Sequence, residues 1–389
     1  MTDPYKPGTP APETVAASHG VATDPAFGAV TPPLYLTSTY KFEGYEQPGP
    51  FDYGRAGNPT RNMLADALAR LEGGAGAVIT SSGMAAIDLL LGQLGVHDLV
   101  IAPHDCYGGT HRLLKARAAR GQFTVYFVDQ ADDVAFAGAL GEVPRLVLIE
   151  TPSNPLMRIS DIAAISAKAK AAGAEVAVDN TFLSPALQRP IALGADYVLH
   201  STTKYLNGHS DVIGGAVVAA DPKQAGILAA WANTVGTTGA PFDSWLTLRG
   251  LRSLFPRMER QQRTAGLIAE RLTQHPAVSA VHYPGLPSHP GHAIAARQQS
   301  GFGAMLSFDL AGGAQAVQRF IGAVETFILA ESLGGVESLV AHPATMTHAD
   351  MGAEARAIAG IGDGLLRLSI GLEHEQDLLA GLERGLAAC

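Results

Sequence analysis

Cysteine is almost missing from this chain: Cys106 and Cys389 are the only two among 389 residues. Two cysteines give no disulfide framework, and a reducing compartment would keep both as thiols. Cys106 as a nucleophile has no activating residue pattern around it. Charged residues are also sparse, at 16%, and the net charge is -9 with Lys and Arg scattered rather than massed. That removes the electrostatic footprint of a nucleic-acid or anionic-membrane binder. No apolar run approaches the roughly 18 residues of a transmembrane helix, and the start "MTDPYKPGTP" lacks a basic segment followed by an apolar one. A cytoplasmic protein with small-molecule partners, and with neither a nucleic-acid nor a membrane partner, is the expectation. Internal repeats and low-complexity tracts are absent too. The dinucleotide fingerprint fails as well, because "GGAGAV" lacks its third glycine position and no suitably placed acid follows. A nicotinamide oxidoreductase is therefore disfavoured.

Metal ligation is poorly supported. His282, His289 and His292 lie in the Pro/Gly-rich stretch "HYPGLPSHPGH" with no acid or cysteine ligand nearby, and "AHPATMTH" offers His342 and His348 without a third ligand. No metal is expected.

What the sequence does have is 47% hydrophobic residues and 44 glycines, a make-up that suits an α/β protein with many tight turns. Its length exceeds what one core usually fills, so two packed units are expected. Residues 1–60 are rich in Pro, Gly, Thr and Tyr without a helical period, and read as an extended arm that must pack on something else. From residue 61 amphipathic segments alternate with the short apolar runs "GAVIT", "LVIAP", "FTVYFVD", "RLVLIE", "AEVAVDN" and "DYVLHS". Such runs, separated by helix-period segments, predict parallel strands covered by helices on both faces, a doubly wound α/β unit over 61–255. A smaller α+β unit is expected over 256–389, from a long amphipathic helix and the strand-like "AMLSFDL" and "LLRLSIGL".

Ligands of a doubly wound sheet sit at the carboxyl ends of its strands. The polar residues there are Ser81 and Ser82, Asp105 and Tyr107, Glu150 and Asn154, Asp179 and Asn180, then Ser201, Thr203 and Lys204. "SSGMAAIDLLL" places hydroxyls and a glycine before a helix whose N-terminus can hold a phosphate, although Ser is equally a common N-cap. Asp179 closes an apolar strand, where a carboxylate is costly unless it meets a cation or donors, or caps the next turn. Lys204 closes another; it is either an ordinary surface lysine or a buried amine that loses its proton easily. One cofactor accounts for all three, since pyridoxal 5'-phosphate needs a lysine for its aldehyde, a carboxylate for its ring nitrogen and a phosphate cradle.

Five segments, "DYGRAGNPTR", "TSSGMAAI", "VDNTFLSP", "STTKYLNGHSDVIGG" and "AESLGGVESLVAHPATMTH", resemble the motifs of the Cys/Met-metabolism pyridoxal-phosphate enzymes of fold type I. The likeness runs from about Thr31 to the last helix. It implies that Lys204 bonds the cofactor and then shuttles protons, that Asp179 pairs with the pyridinium nitrogen, and that Tyr107 stacks on the ring. Asn154 would lie near the phenolic oxygen, and Ser82, Gly83, Met84, Ser201 and Thr203 would hold the phosphate. Tyr53 and Arg55 would reach the phosphate from a neighbouring subunit, with Tyr53 also bordering the substrate, in a homotetramer built from two active dimers. Arg367, helped by Ser332, would grip the substrate α-carboxylate, Glu331 would receive a distal ammonium, and Arg112 would meet a distal carboxylate. Ala56 stands where a second arginine after Arg55 is expected. The implied reaction is a γ-replacement in which O-succinylhomoserine or O-acetylhomoserine and L-cysteine give L-cystathionine, in methionine biosynthesis and transsulfuration. The alternative is γ-elimination of cystathionine to cysteine, 2-oxobutanoate and ammonia. A regulator with the same fold, acting through a partner surface, is more remote, because no DNA-binding segment is added.

Overall fold

The computed structural model describes residues 10–349, 352, 356, 357 and 359–389. The first nine residues of the expected arm lie outside them. The arm differs from the expectation in one respect: it holds a short helix, α1 (Pro12–Ser18). Proline at the first position suits a helix start, and Ala16 is buried against the rest of the molecule. Beyond α1 the arm is mostly exposed up to Asn58. Asn58 then caps α2 (Pro59–Glu72), its side chain accepting from the N–H groups of Thr60 (3.0 Å) and Arg61 (3.1 Å). Such a cap is worth about 1 kcal/mol. Leu64, Leu68 and Leu71, spaced by four and three, give α2 one fully buried face.

Seven strands build the main sheet: β1 (Gly76–Thr80), β2 (Leu99–Pro103), β3 (Thr124–Val128), β4 (Leu146–Glu150), β5 (Glu175–Asp179), β6 (Tyr197–Ser201) and β7 (Gly215–Ala219). Their order is β1-β7-β6-β5-β4-β2-β3. The sequence reading identifies six of them. The seventh, β7, runs antiparallel between β6 and β1, so the other six remain parallel to one another. Both faces are covered, as the alternation of side chains shows. Val100, Leu148 and Ala177 pack on one side with α3 (Gly83–Leu91) and α4 (Gly108–Ala119), while Ile101, Val147 and Val176 pack on the other with Ile162 and Ile165.

A 20-residue helix, Leu254–Thr273, leads into the second unit. There the expected two strands are part of a five-stranded sheet, β8 (Val278–His282), β9 (Met305–Leu310), β10 (Ile328–Leu329), β11 (Leu339–Ala341) and β12 (Leu365–Ser369). The order is β10-β11-β12-β9-β8, with β12 antiparallel to both neighbours. One apolar core joins the two units: the cluster containing Leu64 and Leu68 also contains Met258, Leu306, Phe308 and Phe320. That continuity brings the middle of β12 to the carboxyl ends of the main sheet, where the candidate residues lie. Among the described residues no helix is long and apolar enough to cross a membrane.

Candidate active site

Lys204 lies in the turn after β6, held by its own N–H on Ser201 O (3.2 Å) and by Gly208 N–H on its carbonyl (2.7 Å). Its Nζ donates to Ser332 Oγ (2.7 Å) from the other unit. Burial, and then the charge of Arg367, pull the Lys204 amine down to about 8, with Glu331 opposing them. An amine lowered this far gives up its proton more readily than a solvated surface lysine, and its free-base form is the nucleophile that condenses with an aldehyde.

Ser332 has φ +84°, a left-handed conformation that non-glycine residues seldom adopt and that gathers at functional sites. Held so, it serves two cations: its hydroxyl takes Lys204, and its carbonyl takes Arg367 Nη2 (2.9 Å). Arg367 sits in mid-strand on β12, only 2% exposed, and its Nη1 donates to Asn154 Oδ1 (2.9 Å). Burial lowers its pKa to about 10. A buried guanidinium whose partners are two neutral oxygens is poised for a carboxylate. Asn154, expected near a phenolic oxygen, is thus also part of the Arg367 clamp, and its carbonyl contacts His348 Nε2 (3.2 Å).

Asp179 ends β5 and accepts from Thr181 N–H (3.0 Å), the turn-capping contact, while Thr181 Oγ1 accepts from Ser201 N–H (2.9 Å). Burial raises the Asp179 carboxyl above its usual range. Behind it, Asn180 donates to Glu72 Oε1 (2.9 Å), which also meets His200 Nε2 (2.7 Å) in a fully buried pair. Neither Glu72 nor His200 is singled out by the sequence.

The α3 N-terminus completes the arrangement. Ser82 is its N-cap, with Oγ accepting from Ala85 N–H (3.1 Å), so the N–H groups of Gly83 and Met84 have no intrahelical acceptor. Backbone passes unusually close here: a Cβ on Gly215 would stand 2.1 Å from Ser82 O, and one on Gly83 would stand 2.8 Å from Ser201 Cβ. Thr203 Oγ1 bridges Gly214, accepting its N–H at 3.0 Å and donating to its carbonyl at 3.2 Å. Small residues therefore line a helix end that attracts anions.

Tyr107 starts α4 with its N–H on Glu150 Oε2 (2.8 Å). Cys106 beside it is buried, and its thiol is pushed well up by burial and then by the charges of Glu150 and Asp105, which leaves it a packing residue. Glu331 is exposed at the edge of the group, its charge acting on Lys204 and Arg367, and Arg112 is exposed on α4. Tyr53 and Arg55 stay on the exposed arm, with the Arg55 guanidinium carbon 5.7 Å from the Tyr53 ring centroid, and among the described residues nothing links either to Lys204. The histidines considered as ligands serve other contacts: His282 Nε2 meets Asp309 Oδ2 (2.9 Å) and His292 Nδ1 meets Pro284 O (2.8 Å).

The residues present fit pyridoxal phosphate on three grounds: an amine lowered to about 8, a partly buried carboxyl raised by desolvation at a strand end, and a helix end against which no Cβ would fit. Fold and site together define a pyridoxal-phosphate-dependent enzyme of fold type I. The chain belongs to the Cys/Met metabolism PLP-dependent enzyme family, whose model matches residues 13–387. It is 57% identical to cystathionine gamma-synthase of Escherichia coli (strain K12) over 376 residues, covering 96% of this chain and 97% of that protein. It is 47% identical to cystathionine beta-lyase of Lactococcus lactis subsp. cremoris (strain MG1363) over 367 residues, 94% and 96% of the two chains. The crystal structure of cystathionine gamma synthase from Xanthomonas oryzae pv. oryzae in complex with cystathionine matches with a TM-score of 0.97 and 57% identity, covering 97% of this chain and 98% of that one.

Proposed function

We propose that this enzyme performs a γ-replacement, joining O-succinylhomoserine or O-acetylhomoserine with L-cysteine to give L-cystathionine and the free acid. The observation that carries this reading is the Lys204–Ser332–Arg367 arrangement with Glu331 at its edge, which offers one proton-transfer amine, one α-carboxylate clamp and one acid for a distal ammonium. Pyridoxal phosphate, when bound, takes up the electron pair left as a Cα–H bond breaks. In our reading Lys204 would bond the cofactor's aldehyde and, when free, would carry protons at the substrate's Cα and Cβ. Asp179 would hold the ring-nitrogen proton, Tyr107 would cover the ring face, and Asn154 would sit at its phenolic edge. Gly83, Met84, Ser82, Ser201 and Thr203 would hold the phosphate. Arg367, oriented by the Ser332 carbonyl that accepts from its Nη2, would fix the α-carboxylate, with Arg112 at the far carboxylate.

A γ-elimination of cystathionine is the second reading, favoured by Ala56 in place of a second arginine and by the likeness to a solved cystathionine gamma-lyase from Lactobacillus plantarum. One assay separates them: kcat/KM for O-succinylhomoserine with cysteine, for O-acetylhomoserine with cysteine, and for cystathionine alone. Release of succinate or acetate as the fastest reaction is expected, and silence with cofactor bound would sink the enzyme reading. In the same assay Ala56→Arg should move the succinyl-to-acetyl preference about fivefold toward succinyl, the worth of roughly 1 kcal/mol from one charge-assisted contact. An unchanged ratio would show position 56 to be irrelevant.

We further infer that Tyr53 and Arg55 of a second copy reach the phosphate site, and that two such pairs make a homotetramer. Support comes from the arm, where Phe27 and Tyr45 are 94% and 90% exposed in the single chain. A solution mass of one copy would refute this assembly.

A further inference from the structure

Glu150 lies at the end of β4, directly opposite Asp179 in the parallel register of β4 and β5. It keeps a partial opening toward the cleft, yet it is deep enough for burial, and then the neighbouring Asp179, to raise its carboxyl well above the usual range. A second acid beside Asp179 is costly in the low dielectric of a pocket wall. The fold keeps it there with both oxygens in use. Oε2 accepts from the N–H of Tyr107 (2.8 Å), and Oε1 accepts from the N–H of Asn154 (3.2 Å).

Those two N–H groups belong to different loops, one after β2 and one after β4. The first carries the Tyr107 ring. The second carries the Asn154 side chain, which receives Arg367 Nη1 (2.9 Å). A carboxylate is the only side chain that can accept from two backbone donors with two equivalent oxygens; an amide in its place would turn one acceptor into a donor facing an N–H.

We propose that Glu150 is a positioning residue that locks the Tyr107 loop to the Asn154–Arg367 clamp, so that the face covering the cofactor and the group binding the substrate carboxylate hold one fixed relation. The inference rests on the roles given above to Tyr107 and Arg367. Its consequence is that substrate affinity depends on a side chain that never touches substrate.

The test titrates holoenzyme with L-2-aminobutyrate, an amino acid without a γ-leaving group, and reads binding from the change in cofactor absorbance. Glu150→Gln is expected to raise the Kd about tenfold, the loss of one hydrogen bond to a charged group, while the holoenzyme melting temperature stays within a few degrees. Glu150→Asp keeps a carboxyl group but shortens the reach by one methylene, so it cannot span both donors, and its Kd should rise as well. Wild-type Kd values in both variants, or collapse of the melting transition in both, would overturn the proposal in favour of an idle or a purely structural acid. Arg367→Lys is titrated alongside. If it too leaves the Kd unchanged, the reading of Arg367 fails; if it raises the Kd while the Glu150 variants do not, the inference about Glu150 fails alone.

Discussion

Lys204→Ala should abolish the adduct that borohydride traps between protein and cofactor, and should lower kcat/KM by about 10^4-fold or more. That loss is the upper end for a removed proton-transfer group, and the same side chain is also the nucleophile. Peptide mass spectrometry after reduction reads the first effect, and an adduct on any other lysine would refute the assignment. The sign of the pH dependence follows from the amine's surroundings. Burial and Arg367 lower the Lys204 amine to about 8, so its neutral form gains population as pH rises toward that value. The rate at which cofactor-free protein forms the adduct should therefore increase from pH 6.5 and level off above about 8. A rate still climbing steeply at pH 10 would mean that Lys204 keeps the properties of a solvated lysine.

The fold was largely legible in the sequence wherever a pattern was both local and regular. Six parallel strands and their covering helices follow from short apolar runs between helical periods. Strand β7 does not, because "GAVVA" begins on the second of two glycines in a motif that reads as a loop, and its place between β6 and β1 is fixed by pairing with segments far apart in the chain. Helix α1 is about two helical turns inside a Pro-rich arm, and its packing on α2 outweighs the local composition. In the candidate site, the residues at strand ends and helix starts were legible because chemistry and topology point to the same positions: Lys204, Asp179, Gly83 and Tyr107. Glu150 was visible as a polar strand end but carried no role, since its function is defined by two backbone N–H groups that no sequence spacing brings together. Glu72 was less visible still. It is the last residue of an amphipathic helix, where an acid reads as solvated, and only the packing of α2 on the sheet places it against His200 and Asn180.

Arg367 carries the second large effect, and two opposing terms decide its form. Holding a guanidinium 2% exposed among neutral oxygens costs stability, as its lowered pKa of about 10 reflects. Against this, its removal strips Asn154 Oδ1 and the Ser332 carbonyl of their donors, at about 1–3 kcal/mol for each group left unsatisfied. The terms are similar in size and opposite in sign, so Arg367→Met should leave the melting temperature within a few degrees. Function has no such compensation. Arg367→Lys keeps a charge but loses the fork that can serve Asn154, Ser332 and a carboxylate together, and kcat/KM should fall about 10^2- to 10^3-fold, chiefly through KM, from the roughly 2–4 kcal/mol of a truncated buried charge pair. The methionine variant should fall further at nearly unchanged stability. A lysine variant with wild-type KM would remove Arg367 from substrate binding and would leave a buried cation on β12 whose cost nothing in the reaction explains.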